Sequence, residues 1–324
     1  MKLSAMLIAI ASSLTIQAAS AADTYPTKPV TIVAPYGAGG ASDLAARSLA
    51  EAARKYIGDQ PVLVVNKTGN GGMTGARFVS KAKADGYTLL LARSGMALYP
   101  AVNKKSKLGW DSYSFLGSLE ATPMILTVNA SSPYNTVEVL VAGIKEKDGA
   151  MTFGASGPTA IDGFSVQAML TDAGLNPQTA TTLIPYRGGS ALSTALLGDH
   201  VDFLAIAAGS IMPHIQAGKL RPLAVFAPKR MQTLPDVPTM TELGYEKSGQ
   251  ITGWSALYGP KDLPKEVVTQ WKQVLTSVAK DESWLDLADK RGSISTVAEL
   301  DQEAYSKSQY ELYRELAIKF GYVK

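Results

Sequence analysis

The sequence contains no cysteine and only two histidines among its 324 residues. A chain without cysteine cannot form disulfides, bind zinc or an iron–sulfur cluster through thiolates, use a thiol nucleophile or carry a lipid on a cysteine. Charge is scarce too: 18% of the residues are charged and the net charge is +3. No run of lysine and arginine stands out, which argues against a nucleic-acid partner, while a mildly positive body suits an anionic small ligand.

The N-terminal segment has the pattern of a secretory signal. Lys2 precedes an apolar stretch from Leu3 to Leu14, and small residues follow at Ala19 and Ala21. This pattern predicts a signal peptide over residues 1–21, cleaved after Ala21 or one residue later. The alternative, an uncleaved membrane anchor, is disfavoured because a bilayer span needs about 20 apolar residues. We therefore expect an exported, periplasmic protein that is not lipid-anchored.

Apolar strands alternate with amphipathic helices in the first third of the chain. Strands are predicted at 30–34, 62–65 and 87–92, with helices at 41–57 and from the second glycine loop to about residue 84. The alternation predicts an α/β fold with largely parallel strands.

The middle of the chain repeats this pattern, and the last third is mostly helical. Strands are predicted at 151–153, 182–184 and 201–206, and helices at 164–173 and 190–197. We place the crossing to a second lobe near 124–128 and the return at a strand over 251–258. The predicted division is a first lobe of 22–125 and 249–324 and a second lobe of 126–248.

Two glycine-rich loops follow the first two strands, at 35–43 and 66–75. A strand that enters a helix through glycines exposes backbone N–H groups at the positive end of the helix dipole, which favours an anion. Parallel strands would bring both loops to one edge of a sheet, where α/β proteins bind ligands. The alternative is that the glycines only form tight turns. A third turn at 185–189 resembles the first and suggests two related lobes.

Two arginines stand beside these loops. Arg93 follows a predicted strand near the same edge, and Arg187 lies in the third turn. An arginine can bind a carboxylate through two parallel N–H bonds, so two such residues in a cleft would favour a ligand with two acid groups. The alternative is that each is solvated or pairs with a surface acid. Asp43 is expected to cap its helix, because an acid would repel a bound carboxylate.

Motifs for cofactors and catalysis are weak. Residues 69–75 miss the dinucleotide-binding glycine spacing by one residue, and no P-loop is present. Ser156 lies in an elbow-like sequence with Pro158 where a nucleophile elbow has glycine. His200 and His214 read as turn or packing residues, and no group of residues has metal-ligand spacing. We expect no cofactor, no metal and no enzymatic activity; a hydrolase using Ser156 or Ser94 would lack a placed base.

Seven segments together resemble one family, the substrate-binding receptors of tripartite tricarboxylate transporters, also called Bug or TctC-like proteins. The segments 25–30, 35–43, 66–72, 85–90, 184–188, 213–221 and 234–239 read YPTKPV, PYGAGGASD, NKTGNGG, DGYTLL, IPYRG, PHIQAGKLR and LPDVPT. Each segment is weak alone, but their order matches the family over essentially the whole mature chain.

The resemblance implies a two-lobed periplasmic binding fold, type II-like, with a ligand cleft between lobes that closes by hinge motion. It implies a monomer that binds a small organic acid anion and delivers it to the membrane permease of an ion-gradient-driven transporter. A dicarboxylate or an aromatic acid is favoured. A receptor that signals to a membrane protein could share this fold and remains an alternative.

Fifteen residues are expected to contact the ligand, through the glycine loops, the strand ends and the second lobe. They are Tyr36, Gly37, Ala38, Gly39, Gly40, Gly69, Asn70, Gly71, Gly72, Arg93, Ser94, Ser156, Thr159, Arg187 and Ser210. Two positions and one loop depart from the family's pattern. Asn70 and Arg93 stand where small residues are common, and the small residues at 207–210 leave room for a bulkier ligand.

Overall fold

The computed structural model describes residues 25–39, 41–69, 72–103, 105–186, 188–296 and 302–323. The predicted signal peptide therefore lies outside the described residues. Within them, no helix is both long and apolar enough to cross a membrane.

Two mixed sheets form the centres of two lobes. The first sheet contains β1 (Val30–Ala34), β2 (Val62–Asn66), β3 (Thr88–Arg93), β4 (Tyr113–Thr122), β10 (Gly253–Pro260) and β11 (Ile294–Ser295). The second contains β5 (Met124–Asn129), β6 (Thr152–Ala155), β7 (Thr182–Pro185), β8 (Phe203–Ala207) and β9 (Leu220–Phe226). Their spatial orders are β11-β4-β10-β3-β1-β2 and β7-β6-β8-β5-β9.

Helices cover the faces of both sheets. In the first half they are α1 (Ala41–Ala53), α2 (Met73–Ser80), α3 (Gly95–Val102), α4 (Val137–Lys147) and α5 (Ile161–Asp172). In the second half they are α6 (Gly189–Leu197), α7 (Met212–Gln216), α8 (Glu246–Gly249), α9 (Lys265–Val278), α10 (Glu282–Lys290) and α11 (Gln302–Lys319).

Helix α1 ends four residues before the predicted Ile57. It buries Ala45, Leu49 and Ala52 against the sheet, as the helical spacing of these apolar residues predicts. Beyond Ala53 some backbone hydrogen bonds span three residues instead of four, as in Tyr56 N–H to Ala53 O at 2.9 Å. Gly58 then turns the chain in the left-handed region with φ +100°. The tighter last turn and the glycine stop the helix.

The prediction of largely parallel strands holds only for part of each sheet. Strand β1 is parallel to β2 and β3, and β6 is parallel to β7 and β8. The other pairings are antiparallel: β10 with β3 and β4, β11 with β4, and β5 with β8 and β9. The reason is the way the chain crosses between lobes. Strand β4 leads into β5 through Pro123 alone, and the returning β10 inserts between β3 and β4.

The two sheets share one topology, which corrects the predicted likeness of the turns at 35–40 and 185–189. In each sheet a central strand is flanked by two parallel strands, next to which lies one antiparallel strand and then a strand that again runs in the first direction. This matches β2-β1-β3-β10-β4 with β7-β6-β8-β5-β9. The turn after β1 is therefore equivalent to the turn after β6, and the turn after β7 is equivalent to the turn after β2. Similar local sequences occupy different places because a turn motif does not encode strand order.

The C-terminal helix α11 packs on both lobes. Tyr313 of the helix and Phe320, the residue after its end, contact Phe164 of α5 with ring centroids 5.8 and 4.9 Å apart. Beyond the helix, Tyr322 Oη donates to Gln167 Oε1 of α5 at 2.6 Å. On the first lobe, Arg314 Nη1 donates to the carbonyl of Ala101 at the end of α3 at 3.0 Å. The chain thus joins the lobes through a helix as well as through its two strand crossings.

Asp281 joins the start of α10 to the end of α1. Its Oδ1 accepts the backbone N–H groups of Ser283 and Trp284 at 3.0 and 3.2 Å. Its Oδ2 accepts Lys55 Nζ at 2.8 Å and Tyr56 Oη at 2.9 Å. The hydrogen bond from Lys55 is the largest cause that holds the pKa of this carboxyl well below its usual range.

We predict that Asp281→Ala lowers the free energy of unfolding by about 1–2 kcal/mol at pH 7, because a helix cap and an ion pair are lost. A carboxyl with a depressed folded-state pKa stabilises above its unfolded pKa of about 3.9, and this contribution fades as the pH falls below that value. The difference between wild type and variant in urea unfolding should therefore narrow from pH 6 to pH 2.5. Asp289→Ala, on the exposed face of the same helix, is the control; an equal loss in both variants would contradict the assignment.

Candidate functional site

The first two glycine loops lie at the same edge of the first sheet. The loop at 35–40 follows β1 and precedes α1, and the loop at 67–72 follows β2 and precedes α2. Parallel pairing of β1 with β2 places both carboxyl ends together. Gly37, Ala38, Gly39 and Gly69 are exposed, and an added Cβ on Gly37 or Gly39 would meet nothing within 4 Å. The loops therefore present open backbone, as an anion cradle requires.

Asp43, predicted to cap its helix, holds the preceding loop in shape. Its Oδ2 accepts the Gly39 N–H at 2.9 Å, and its Oδ1 accepts Asn66 Nδ2 at 2.9 Å. Asn66 also donates to the carbonyl of Tyr36 at 3.0 Å. The Gly39 amide is thus occupied, whereas the Gly37 and Ala38 amides have no partner among the described residues.

The charge of Asp43 is neutralised locally. The carboxyl is 2% exposed, and Arg47 Nε donates to it at 3.0 Å. Burial acts to raise the pKa of Asp43, but the hydrogen bonds from Arg47, Gly39 and Asn66 outweigh burial and hold the pKa below its usual range. The acid stays ionised and paired, so it does not oppose an anion at the loop.

Tyr36 and Gly72 bring the two loops into contact. Gly72 precedes α2 in the left-handed region with φ +92°, and a Cβ there would lie 2.9 Å from Tyr36 Oη. The aromatic ring thus fills the space that a side chain at position 72 would need. Glycine is required at this position both by the backbone conformation and by the close approach.

In the second lobe, Ser156 and Asp162 occupy the turn equivalent to the first glycine loop. Asp162, in the first turn of α5, accepts the Ser156 N–H at 2.8 Å and the Ser156 Oγ at 2.6 Å. Burial raises the pKa of Asp162 above its usual range, although these hydrogen bonds oppose the shift. An acid in the first helical turn thus fixes the preceding turn in both lobes. Ser156 and Thr159 are exposed at this turn.

Ser210 lies against the start of α6. A Cβ on Gly189 would clash with Ser210 Oγ, and Ser193 Oγ donates to the carbonyl of Ser210 at 2.9 Å. The turn after β8 and the helix after β7 are therefore held together in the second lobe.

Arg93 and Ser94 lie at the carboxyl end of β3, beside the first loop. Arg93 is the last residue of the strand rather than the first residue after it, and it pairs in register with Ser255 of β10. Ser94 is 4% exposed and precedes α3, with its N–H donating to the carbonyl of Trp254 at 3.1 Å.

Sequence reasoning missed the buried ion pairs beneath this edge. Glu120 of β4 is 1% exposed and accepts Arg291 Nη2 at 2.8 Å, and Arg93 Nη1 lies 3.9 Å from its other oxygen. The one signal in the sequence was an acid inside the otherwise apolar and small-residue strand Tyr113–Thr122. Nothing in the sequence around Arg291 indicated that it pairs with Glu120, because the two residues are 171 positions apart.

Four of the predicted ligand contacts, Gly40, Asn70, Gly71 and Arg187, lie outside the described residues. Of the other eleven, seven lie at the ends of β1, β2 and β3: Tyr36, Gly37, Ala38, Gly39, Gly69, Arg93 and Ser94, with Gly72 at the start of α2 as an eighth. Ser156, Thr159 and Ser210 follow β6 and β8 of the second lobe. The predicted contacts therefore divide between the strand ends of the two lobes.

Other candidate sites are weaker. Within the described ranges no group of three or more histidine, aspartate or glutamate residues could hold a metal ion. His200 packs beside Gly198 in a turn, and His214 lies in α7. A cavity of 440 Å³ is lined by Trp110, Asp111, Tyr113, Ser114, Phe115, Tyr258, Lys261, Asp262 and Ser306. The cavity lies toward the other end of the strands of the first sheet. Strand β10 runs antiparallel to β3, so its Ser255 lies opposite Arg93, and the chain moves away from the glycine loops as it continues to Lys261.

The chain resembles known proteins over most of its length. A 34% identical relative from the TAR-I ttuE-ttuC' intergenic region of Agrobacterium vitis aligns over 88% of this chain and 83% of its own length. Protein BugT of Bordetella pertussis is 30% identical over 89% of this chain and 87% of its own length.

Solved structures share the fold. The periplasmic binding protein BugD is 30% identical, with a TM-score of 0.78 over 92% of this chain and 99% of that protein. MatC of Rhodopseudomonas palustris, solved with bound malate, has a TM-score of 0.76 at 20% identity over 90% of this chain and all of its own. An R. palustris protein solved with adipate has a TM-score of 0.78 at 24% identity over 92% of this chain and 98% of its own.

These likenesses confirm the predicted two-lobed periplasmic binding fold, with a ligand cleft between the lobes. The family profile described as "Tripartite tricarboxylate transporter family receptor" matches residues 45–318. The sequence resemblance is therefore confirmed, and the chain belongs to the receptor family of the tripartite tricarboxylate transporters.

Proposed function

We propose that this protein captures a small organic acid anion in the cleft between its lobes and delivers it to the permease of an ion-gradient-driven tripartite tricarboxylate transporter. The observation that carries the proposal is the pair of open glycine turns at neighbouring parallel strand ends. There the Gly37 and Ala38 amides have no partner among the described residues. Backbone N–H groups near a helix start bind a carboxylate without a charged side chain.

A dicarboxylate or an aromatic acid is the favoured ligand class. Two structural relatives were solved with malate and adipate, both diacids. In this chain the glycine loops would hold one carboxylate, and Ser94, Ser156, Thr159 and Ser210, with the cation of Arg187, would contact the rest. Closure of the lobes would remove the ligand from water and strengthen each polar contact.

The proposed setting is the periplasm, reached through a cleaved signal peptide over residues 1–21, and the proposed state is a monomer without a lipid anchor or cofactor. BugD, which is 30% identical, is described as a periplasmic binding protein. The absence of cysteine from the sequence leaves no site for lipid attachment through a thiol.

A binding role is favoured over hydrolysis by the state of Ser156. Its hydroxyl donates to Asp162 at 2.6 Å, and the same carboxyl oxygen accepts the Ser156 N–H at 2.8 Å, so this contact fixes the turn. A serine nucleophile is typically activated by a histidine that a third group orients. In the described part of the chain Ser156 bonds to Asp162 and to neither His200 nor His214, and we propose that the protein has no enzymatic activity.

The first test is to identify the natural ligand. Mature protein, beginning at residue 22, would be purified natively from the periplasm, denatured and examined by mass spectrometry for organic acids. We expect a carboxylic acid at a near-stoichiometric ratio, with calorimetry giving a dissociation constant near micromolar, which corresponds to about −8 kcal/mol.

Closure provides a second readout of the same proposal. Addition of the acid should lower the radius of gyration in small-angle scattering and raise the melting temperature, because the ligand binds only the folded state. A protein that carries no acid, and whose melting temperature does not respond to malate, adipate or aromatic acids, would contradict the proposed function.

We predict that Gly72→Ala weakens acid binding at least tenfold, because the new Cβ would displace the Tyr36 ring and separate the glycine loops. Gly58→Ala is the matched control: both glycines have a left-handed φ, +92° and +100°, but nothing lies within 4 Å of a Cβ at position 58. Both variants should lose stability in urea because of the left-handed φ, with a larger loss for Gly72→Ala because of the contact with Tyr36, and only Gly72→Ala should lose affinity by calorimetry. Equal affinity in the two variants would show that loop contact is not needed for binding.

A further inference from the structure

The ion pairs at Glu120 are divided unequally between two arginines. Arg291 makes two side-chain hydrogen bonds, from Nη2 to Glu120 Oε2 and from Nη1 to Ser48 Oγ, both at 2.8 Å. Its guanidinium also lies 5.6 Å from the Trp284 ring. Arg291 is therefore the structural partner that satisfies the Glu120 charge.

Arg93 is attached to the same acid only loosely. Its Nη1 lies 3.9 Å from Glu120 Oε1, beyond hydrogen-bond distance. That nitrogen is buried and has no hydrogen-bond partner, and within the described residues the Arg93 side chain makes no hydrogen bond. A guanidinium that served only to neutralise Glu120 would be expected to bond it, because buried unsatisfied donors are costly.

The cluster carries excess positive charge at the cleft edge. Among the described residues, two arginines face one glutamate, so one positive charge is left without a counter-ion within ion-pair distance. Arg93 and Glu120 both pair in register with Ser255 of β10, which places the three residues in one row across the sheet. Ser255 is fully buried, and its hydroxyl also has no partner. Unsatisfied donors and uncompensated positive charge favour the same kind of group, an anion.

The row lies beside the glycine loops. Strand β3, which ends at Arg93, pairs with β1, which leads into the first loop. Neighbouring strands lie roughly 4.8 Å apart. An acid group in the glycine cradle and one at Arg93 would thus be separated by about the length of a small diacid. The Arg93 side chain is 14% exposed, and it stands at the strand end that borders the first glycine loop.

From this geometry we infer that Arg93 is a second anion subsite, which makes the receptor selective for acids that carry a second carboxylate. Glu120 and Arg291 act as positioning residues: Arg291 takes up the charge of Glu120 through a 2.8 Å bond, which leaves the Arg93 guanidinium 3.9 Å from that acid and free of a hydrogen bond to it. This inference rests on the proposed function, since it assumes that the glycine loops hold the first carboxylate.

The test uses pairs of acids in which a methyl group replaces one carboxylate. The pairs are malate with 2-hydroxybutyrate, adipate with hexanoate, and terephthalate with 4-methylbenzoate. By calorimetry, the mature wild-type protein should bind at least one diacid about 10- to 100-fold more tightly than its methyl partner, as expected for a charge-assisted arginine–carboxylate bond.

Arg93→Gln should reduce that ratio to near one while affinity for the monoacid stays within a few-fold. Arg93→Lys, which keeps the charge, should preserve part of the preference. Arg54→Gln is the control with the same change in net charge. Arg54 follows the last residue of α1, whose first residue comes directly after the first glycine loop. A helix rises about 1.5 Å per residue, so Arg54 lies roughly 20 Å from that loop.

The outcomes separate this inference from the proposed function. If wild type binds monoacids as tightly as their diacid partners, or if Arg93→Gln and Arg93→Lys both keep the full diacid preference, the second subsite is wrong and the receptor stands. If neither class of acid binds and the purified protein carries none, the proposed function itself fails. Melting curves of each variant confirm folding, and if Arg93→Gln does not fold, the wild-type ratio and Arg93→Lys still decide.

Discussion

Parallel pairing of β1 with both β2 and β3 is the constraint on which the candidate site depends. Parallel strands end at the same edge of a sheet. The segments that follow β1, β2 and β3 therefore begin side by side, although Ala34 and Arg93 are 59 positions apart in the sequence. Two of these connections are glycine turns that leave backbone amides open, and the third begins at an arginine. Because the strands fix the positions of all three, the loops themselves need little rigidity beyond the contacts that Asp43 and Tyr36 provide.

The shared topology of the two sheets extends this arrangement to the second lobe. Asp43 and Asp162 lie in the first turns of equivalent helices, and each accepts a backbone N–H from the preceding turn. Their surroundings differ: Arg47 keeps the pKa of Asp43 low, whereas burial raises the pKa of Asp162. A carboxylate in the first helical turn therefore stabilises both turns, although their electrostatic surroundings differ. The turn after β1 is suited to an anion, and the turn after β6 presents the hydroxyl of Ser156.

The local parts of this site could be predicted from sequence, and the long-range parts could not. Glycine spacing indicated the first two loops, and the position of Asp43 indicated a cap, because both depend on residues a few positions apart. The likeness of the turns at 35–40 and 185–189 was misleading, since strand order is set by tertiary pairing that neither turn encodes. The pairing of Glu120 with Arg291 joins residues 171 positions apart, and no periodicity within either segment signals it.

The connections between the lobes constrain the closure proposed above. Besides the two strand crossings, the C-terminal segment after α11 links the lobes, with Phe320 packed on Phe164 and Tyr322 bonded to Gln167. The lobes also approach closely at Gly209 of the second lobe, where a Cβ would lie 2.7 Å from the carbonyl of Arg291 in the first. A motion that separated the lobes evenly would break both sets of contacts, whereas a rotation about an axis through them would keep them. Arg291 also binds Glu120, so a single residue of the first lobe contacts the second lobe at Gly209 and pairs with the buried acid beside Arg93.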